Sequence, residues 1–201
     1  MNSQLIVNIK DLLPIQKKVN EVVKERLGRT VQIDEYTLAF SVELFEYFNA
    51  IGKWKWWKQS HILNKEKVLD ELADCFAFFL SIVEILEFMV GERESESFIN
   101  GVEMDIQESI NSLVNMSKNT SNEKTANDLM RFVGCNSDII YPATQDIFVG
   151  EFETMIDVTI KRFSIAIHLA TLLFEGITWE EITEAYRKKS QVNIDRQNGG
   201  Y

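Results

Sequence analysis

Apolar residues recur at Leu12, Leu13, Ile15, Val19, Val22, Val23 and Leu27, a spacing near the helical period of about 3.6 residues, and predict a first helix over residues 10–27. A Gly-Arg-Thr turn follows, after which Asp34 is placed to cap a second helix that runs through Ile51 and stops at Gly52. Asn64 can cap a third helix, over residues 65–90, that Gly91 closes. From residue 92 to about 132 the chain turns polar and rich in Ser and Asn, predicting two weaker helical segments around a loop at SKNTSNEKT, residues 117–125. Residues 134–150, GCNSDIIYPATQDIFVG, mix turn formers with short β-like runs and predict no single element. Helical patterning returns over residues 151–174, and Thr178 with Glu181 has the capping-box spacing that opens a last helix.

Composition strengthens the helical reading, because 2 Pro and 9 Gly are too few for the many turns of an all-β domain. The expectation is an all-α helical bundle, one domain over residues 1–201 with a variable insertion at about 92–150. A hydrophobic share of 45% is enough for one sizeable core. The most apolar run, residues 75–90, is interrupted by Glu84 and Glu87 and falls short of the roughly twenty residues a bilayer requires, so it reads as a buried helix. A net charge of −10 repels a polyanionic backbone and argues against duplex nucleic acid as a partner. Cys75 and Cys135 make no disulfide framework, and MNSQLIVNIKDLL lacks the basic start and apolar core of a signal peptide, so a cytoplasmic location is expected.

The second helix carries an anomaly. Residues 37–51, TLAFSVELFEYFNAI, hold only Glu43 and Glu46 as charges, three apart and therefore on one face. Ala39 and Ala50 extend that face with small side chains, while Phe40, Leu44, Phe45 and Phe48 fill the other sides. The third helix repeats the spacing with Glu71 and Asp74, followed by the uncharged CFAFFLSIV. Four carboxylates in an apolar bundle would cost several kcal/mol each unless protonated or neutralised, so positive charge must sit among them. Acids at this spacing on facing helices are a recurrent way for a bundle to hold divalent cations, and an all-oxygen donor set favours Mg²⁺, with Mn²⁺ as a substitute, over zinc or copper. A solvated acidic face is the competing reading; the apolar flanks and the second acid pair count against it. A di-iron bundle needs Glu-x-x-His on two helices, but His61 and His168 follow Lys58 and Ile165 at that spacing and read as surface or packing residues.

Two further groups of residues bear on chemistry. In WKWWK, residues 54–58, indoles alternate with cations, which suits stacking on a base beside phosphate, or a hydrophobic plug under the loop. On the last helix Lys189, Asn193 and Arg196 fall at i, i+4 and i+7, a stripe that suits an anion or a solvated tail.

Taken in order, QKKVN (residues 16–20), VELFEYFN (42–49), WKWWK, VLDELADCFAFFLSI (68–82) and YRKKSQVNIDRQNGGY (186–201) resemble the dimeric dUTPases, the all-α, MazG-like nucleotide pyrophosphatases, and most of all their phage-borne branch. The resemblance implies a homodimer that hydrolyses dUTP, and also dUDP, to dUMP with bound Mg²⁺. By the same resemblance Glu43, Glu46, Glu71 and Asp74 would ligate the metal, and Glu43 would also orient or deprotonate the attacking water. Gln16, Asn20 and Asn193 would contact uracil or sugar, while Lys189, Arg196 and Tyr201 would hold the phosphates. Phe78 and a Trp of the loop, Trp57 or its neighbour Trp56, would pack on the nucleoside, with Lys58 beside it in the substrate site. Ser190 stands where an Asn is common in the family, and Ala77 where many members have His. A regulatory protein bound to the middle section, and the host cytoplasm as location for a phage-encoded chain, are further expectations. Two alternatives stay open: a sibling enzyme acting on another nucleotide such as dCTP, and a catalytically silent helical protein that binds a regulator.

Overall fold

The computed structural model describes residues 5–58, 62–135 and 149–199, and every regular element among them is a helix. They are α1 (Leu13–Leu27), α2 (Ile33–Ile51), α3 (Lys65–Val90), α4 (Glu92–Ser117), α5 (Asn122–Cys135), α6 (Val149–Leu173) and α7 (Trp179–Asn198). The first helix starts later than its periodicity predicts, because the N–H groups of Leu12 and Leu13 turn back to the Ile9 carbonyl and Pro14 fits only the opening turn. Gly28 and Gly52 then end α1 and α2 at φ 65° and 66°, a left-handed conformation that glycine adopts without strain.

The start of α2 corrects the expectation for Asp34. The residue outside the helix is Gln32, whose N–H donates to Glu35 at 2.9 Å, and Arg29 clamps Glu35 with two bonds of 2.7 Å. Asp34 is left within the first turn, where its charge still favours the helix dipole. The other caps match the sequence: Asn64 accepts from the Lys67 N–H at 3.0 Å, and Thr178 and Glu181 satisfy each other's N–H groups at 3.1 Å.

Apart from a half-buried stripe through Glu71, Asp74, Phe78 and Glu84, the middle of α3 is buried, with α1, α2, α4, α6 and α7 packed on it. Phe163 of α6 stacks on Phe79 with ring centroids 4.0 Å apart and meets Phe76 edge-on at 4.5 Å. Tyr47 of α2, fully buried, donates its hydroxyl to the Ala166 carbonyl at 2.9 Å and so ties α2 to α6. Buried polar groups need such partners.

The polar middle of the chain is helical over longer runs than its composition suggests. Residues 118–121 alone separate α4 from α5, a shorter break than the expected loop. Ile99, Val102, Ile106 and Ile110 of α4 join Ala126, Met130 and Val133 of α5 in the same hydrophobic cluster as the rest of the bundle. The N-terminal segment is strapped to α4, the N–H groups of Val7 and Ile9 donating to Gln107 and Glu103 at 3.0 and 2.7 Å. Of the unassigned stretch 134–150, Gly134 and Cys135 close α5 and α6 opens at Val149; the rest lies outside the described residues. No described helix is long and apolar enough to cross a membrane.

Candidate active site

Because α2 and α3 pack side by side, their acid pairs meet. Carboxylate oxygens of Glu43, Glu46 and Glu71 lie within 4.8 Å of one another, with Glu46 exposed and the other two half-buried. Asp74 is turned to α7, where the Lys189 ammonium sits 2.7 Å from it and 2.7 Å from Asp70. The sequence stripe of α7 therefore brings a cation to the edge of the acid cluster.

Crowded negative charge leaves its mark on these groups. Burial first, and then Asp74, Glu46 and Glu71, push the Glu43 carboxyl up to about 7. Burial and the neighbouring acids also raise Glu71, while burial raises Asp74 against the pull of Lys189 and Arg196. An oxygen-only donor set that is short of positive charge fits a hard divalent cation such as Mg²⁺ or Mn²⁺.

Beyond Asp74 the same face of α3 continues through Phe78, Ser81 and Glu84. The Phe78 ring lies 6.3 Å from that of Tyr36. Ser81 meets the amides of α1: Gln16 Nε2 donates to Asn20 Oδ1 at 2.9 Å and to Ser81 Oγ at 3.1 Å. Asn20 Nδ2 donates to Glu84 at 2.6 Å, and the Tyr186 phenol of α7 donates to Gln16 Oε1 at 3.0 Å. Gln16 is almost wholly enclosed, and Asn20 is half-buried.

The remaining expected residues are placed less tightly. Asn193 is half-buried on α7, and Arg196 lies near enough to Asp74 to favour its charge. Trp57 is 55% exposed and packs edge-on against Trp54 and Trp56, with centroids 5.4 and 5.7 Å away, so the loop's aromatic residues cluster on one another. Lys58 is exposed on the same loop, and Tyr201 lies outside the described residues. Ser190 is buried, its hydroxyl donating to the Tyr186 carbonyl at 2.8 Å.

Reasoning from sequence does not single out Ser81, Glu84, Tyr36 or Asp70. The first two carried a signal, since they continue the stripe of Asp74 at i+7 and i+10. Tyr36 and Asp70 carried none: one is an aromatic residue in an aromatic-rich segment, the other an acid on a charged first stretch of helix.

Acids gathered from two neighbouring helices, a lysine brought in by a third, and an amide network further along α3 form one candidate site in an all-α bundle. A family model described as dUTPase matches residues 8–201, nearly the whole chain, and the chain belongs to that all-α dUTPase family. It is a nucleotide pyrophosphatase, one that splits dUTP to dUMP and pyrophosphate. Comparison with curated proteins gave no match.

Proposed function

We propose that the chain hydrolyses dUTP, and dUDP as well, in a Mg²⁺-dependent reaction at the α2–α3 acid cluster. The observation that carries this reading is the convergence of Glu43, Glu46 and Glu71 within 4.8 Å, with Asp74 beside them on α3. These four side chains would hold Mg²⁺, or Mn²⁺ in its place; such an ion, when bound, lowers the pKa of water and neutralises phosphate charge. Glu43 is the residue that orients the attacking water and takes its proton, and its raised pKa, about 7 in the metal-free protein, reflects how little its surroundings favour the charge. Lys189 and Arg196, with Tyr201, bind the phosphate oxygens, Lys189 exchanging Asp70 and Asp74 for phosphate. Phe78 packs on the nucleoside beside Trp57 and Lys58, while Asn193 and Asn20 face base and sugar, and Gln16, enclosed at 3% exposure, acts from behind Asn20 rather than by direct contact. Phosphoryl transfer depends on positioning and charge neutralisation more than on a covalent protein intermediate, which suits a site built of acids and cations.

The active unit is a homodimer. This is supported by an apolar stripe on α2, Leu38, Val42 and Phe45, which are 56, 48 and 44% exposed on the helix that bears Glu43 and Glu46. Light scattering should return twice the chain mass.

The decisive experiment follows products from dUTP, dUDP and dCTP with Mg²⁺, with EDTA, and with Mn²⁺ added back. Pyrophosphate from dUTP and phosphate from dUDP are expected, lost in EDTA and restored by either ion. Glu46→Gln should lower kcat about a hundredfold or more. Equal turnover of dCTP and dUTP would end the uracil-specific reading, and activity indifferent to EDTA would end the metal reading.

A further inference from the structure

We propose that Glu84 is a positioning residue for base recognition: by accepting from Asn20 it fixes the direction of the hydrogen-bond chain running from Tyr186 through Gln16, so that Asn20 presents the nucleoside with an N–H and no acceptor. The inference rests on the assignment of Gln16 and Asn20 to the nucleoside side of the dUTPase site.

An amide side chain is nearly symmetric in shape, and its donor and acceptor ends are told apart by their partners. Glu84 breaks that symmetry. An ionised carboxylate can only accept, so the Asn20 atom 2.6 Å from it is the amide nitrogen. Asn20 Oδ1 then faces inward, accepting from Gln16 Nε2 at 2.9 Å and lying 3.1 Å from Ser81 Oγ, whose single proton is shared with the Ala77 carbonyl at 2.9 Å. Gln16 is turned in consequence with its oxygen toward Tyr186, whose phenol donates at 3.0 Å. Every bond in the chain points from Tyr186 toward Glu84. Burial, joined by Glu87 and Glu21, raises the Glu84 carboxyl above its ordinary value, against the Asn20 bond and Lys17, which favour its charge.

Gln16 is 3% exposed, Ser81 1% and Tyr186 0%, so the half-buried end formed by Asn20 and Glu84 is where a nucleoside can arrive. What Asn20 has left to offer is its second N–H. That group suits a pyrimidine carbonyl, such as the one at position 4 of uracil, and meets the amino group of cytosine donor against donor. Gln16, with both ends engaged, acts through Asn20.

The test is steady-state kinetics of Glu84→Gln, Glu84→Ala and Glu84→Asp on dUTP and dCTP, with Mg²⁺ affinity measured by calorimetry on the metal alone. Glutamine keeps the size of the side chain but can also donate, so the chain can reverse and Asn20 can turn its oxygen outward. The ratio of kcat/KM for dUTP over dCTP should fall about tenfold in Glu84→Gln and Glu84→Ala, through KM for dUTP, with Mg²⁺ affinity unchanged. Glu84→Asp, which can only accept, should recover most of the preference. A ratio in Glu84→Gln equal to the parent's overturns the proposal, as does a loss confined to kcat; the near-isosteric glutamine decides even where alanine fails to fold. A parent protein without preference for dUTP would sink the nucleoside-site reading itself, and this proposal with it, before any variant is made.

Discussion

His168 shows how one buried side chain sets an acid limit on stability. It is 2% exposed on α6, and its ring nitrogens meet hydroxyls, Ser117 Oγ at 2.9 Å and Thr171 Oγ1 at 3.2 Å. Burial pushes its pKa down from 6.5 to about 4. Between those values the unfolded chain binds a proton there and the folded chain does not, so stability is complete above the unfolded value and drains away as pH falls toward 4. Going from pH 7 to pH 5 should cost about 2 kcal/mol through this residue, and His168→Gln should lack that part of the loss in urea unfolding at the two pH values. An equal pH dependence in parent and variant would refute the assignment. The site residues differ in how far sequence alone betrays them. Glu43 and Glu46 stand out because a charge within an apolar run has few explanations, Glu71 and Asp74 because they repeat that spacing, and Glu43, Glu46 and Glu71 do converge. The burial of Gln16 was hidden, since an uncharged polar residue on an amphipathic helix looks the same whether water or a tyrosine satisfies it. His168 itself reads as a surface or packing residue, and the structure buries it.

At the scale of elements, legibility follows the width of the apolar stripe. For α3 it covers all but the face that bears Glu71, Asp74 and Glu84, and α7 announces its start with a capping box, so both are plain from the pattern. The fourth helix fully buries only a narrow line, Ile99, Val102, Ile106 and Ile110, with Phe98 and Leu113 partly buried beside it, and its acids, serines and asparagines dilute that pattern. Its stability comes from packing on α3 and α6, not from its own composition. Ile106 is 0% exposed, so Ile106→Ala should cost about 2–5 kcal/mol, whereas Met116→Ala, at a residue 74% exposed on the same helix, should stay within about 0.5 kcal/mol. Denaturant unfolding followed by near- and far-ultraviolet signals measures both. If α4 belongs to the cooperative core, the Ile106→Ala loss appears as a shift of one shared transition; a separate early transition with the main one unmoved would mean that the middle helices unfold on their own.

Over the whole molecule, an excess of acids meets a concentrated patch of them on α2 and α3. The chain carries −10 overall, and the α2–α3 cluster adds local repulsion to that general one. The Glu43 carboxyl, at about 7 against an ordinary 4.5, binds its proton more tightly in the folded state than in the unfolded one. The stability that goes with this proton is present below 4.5 and lost as pH rises through 7, so at pH 8 without metal the charged Glu43 opposes folding. Glu43→Gln should therefore melt higher than the parent at pH 8 in EDTA. The residue is half-exposed and screened, which limits the gain to about 1 kcal/mol, or roughly 2–4 °C. Saturating Mg²⁺ should reverse the order. At a hundred times its dissociation constant a ligand that binds only the folded state adds about 2.7 kcal/mol, which the parent should gain and the variant largely forgo. Thermal melts of both proteins with EDTA and with a Mg²⁺ series would show the two curves crossing. A variant less stable than the parent in EDTA would mean that Glu43 supports the fold rather than straining it, and parallel responses to Mg²⁺ would remove Glu43 from the ligands.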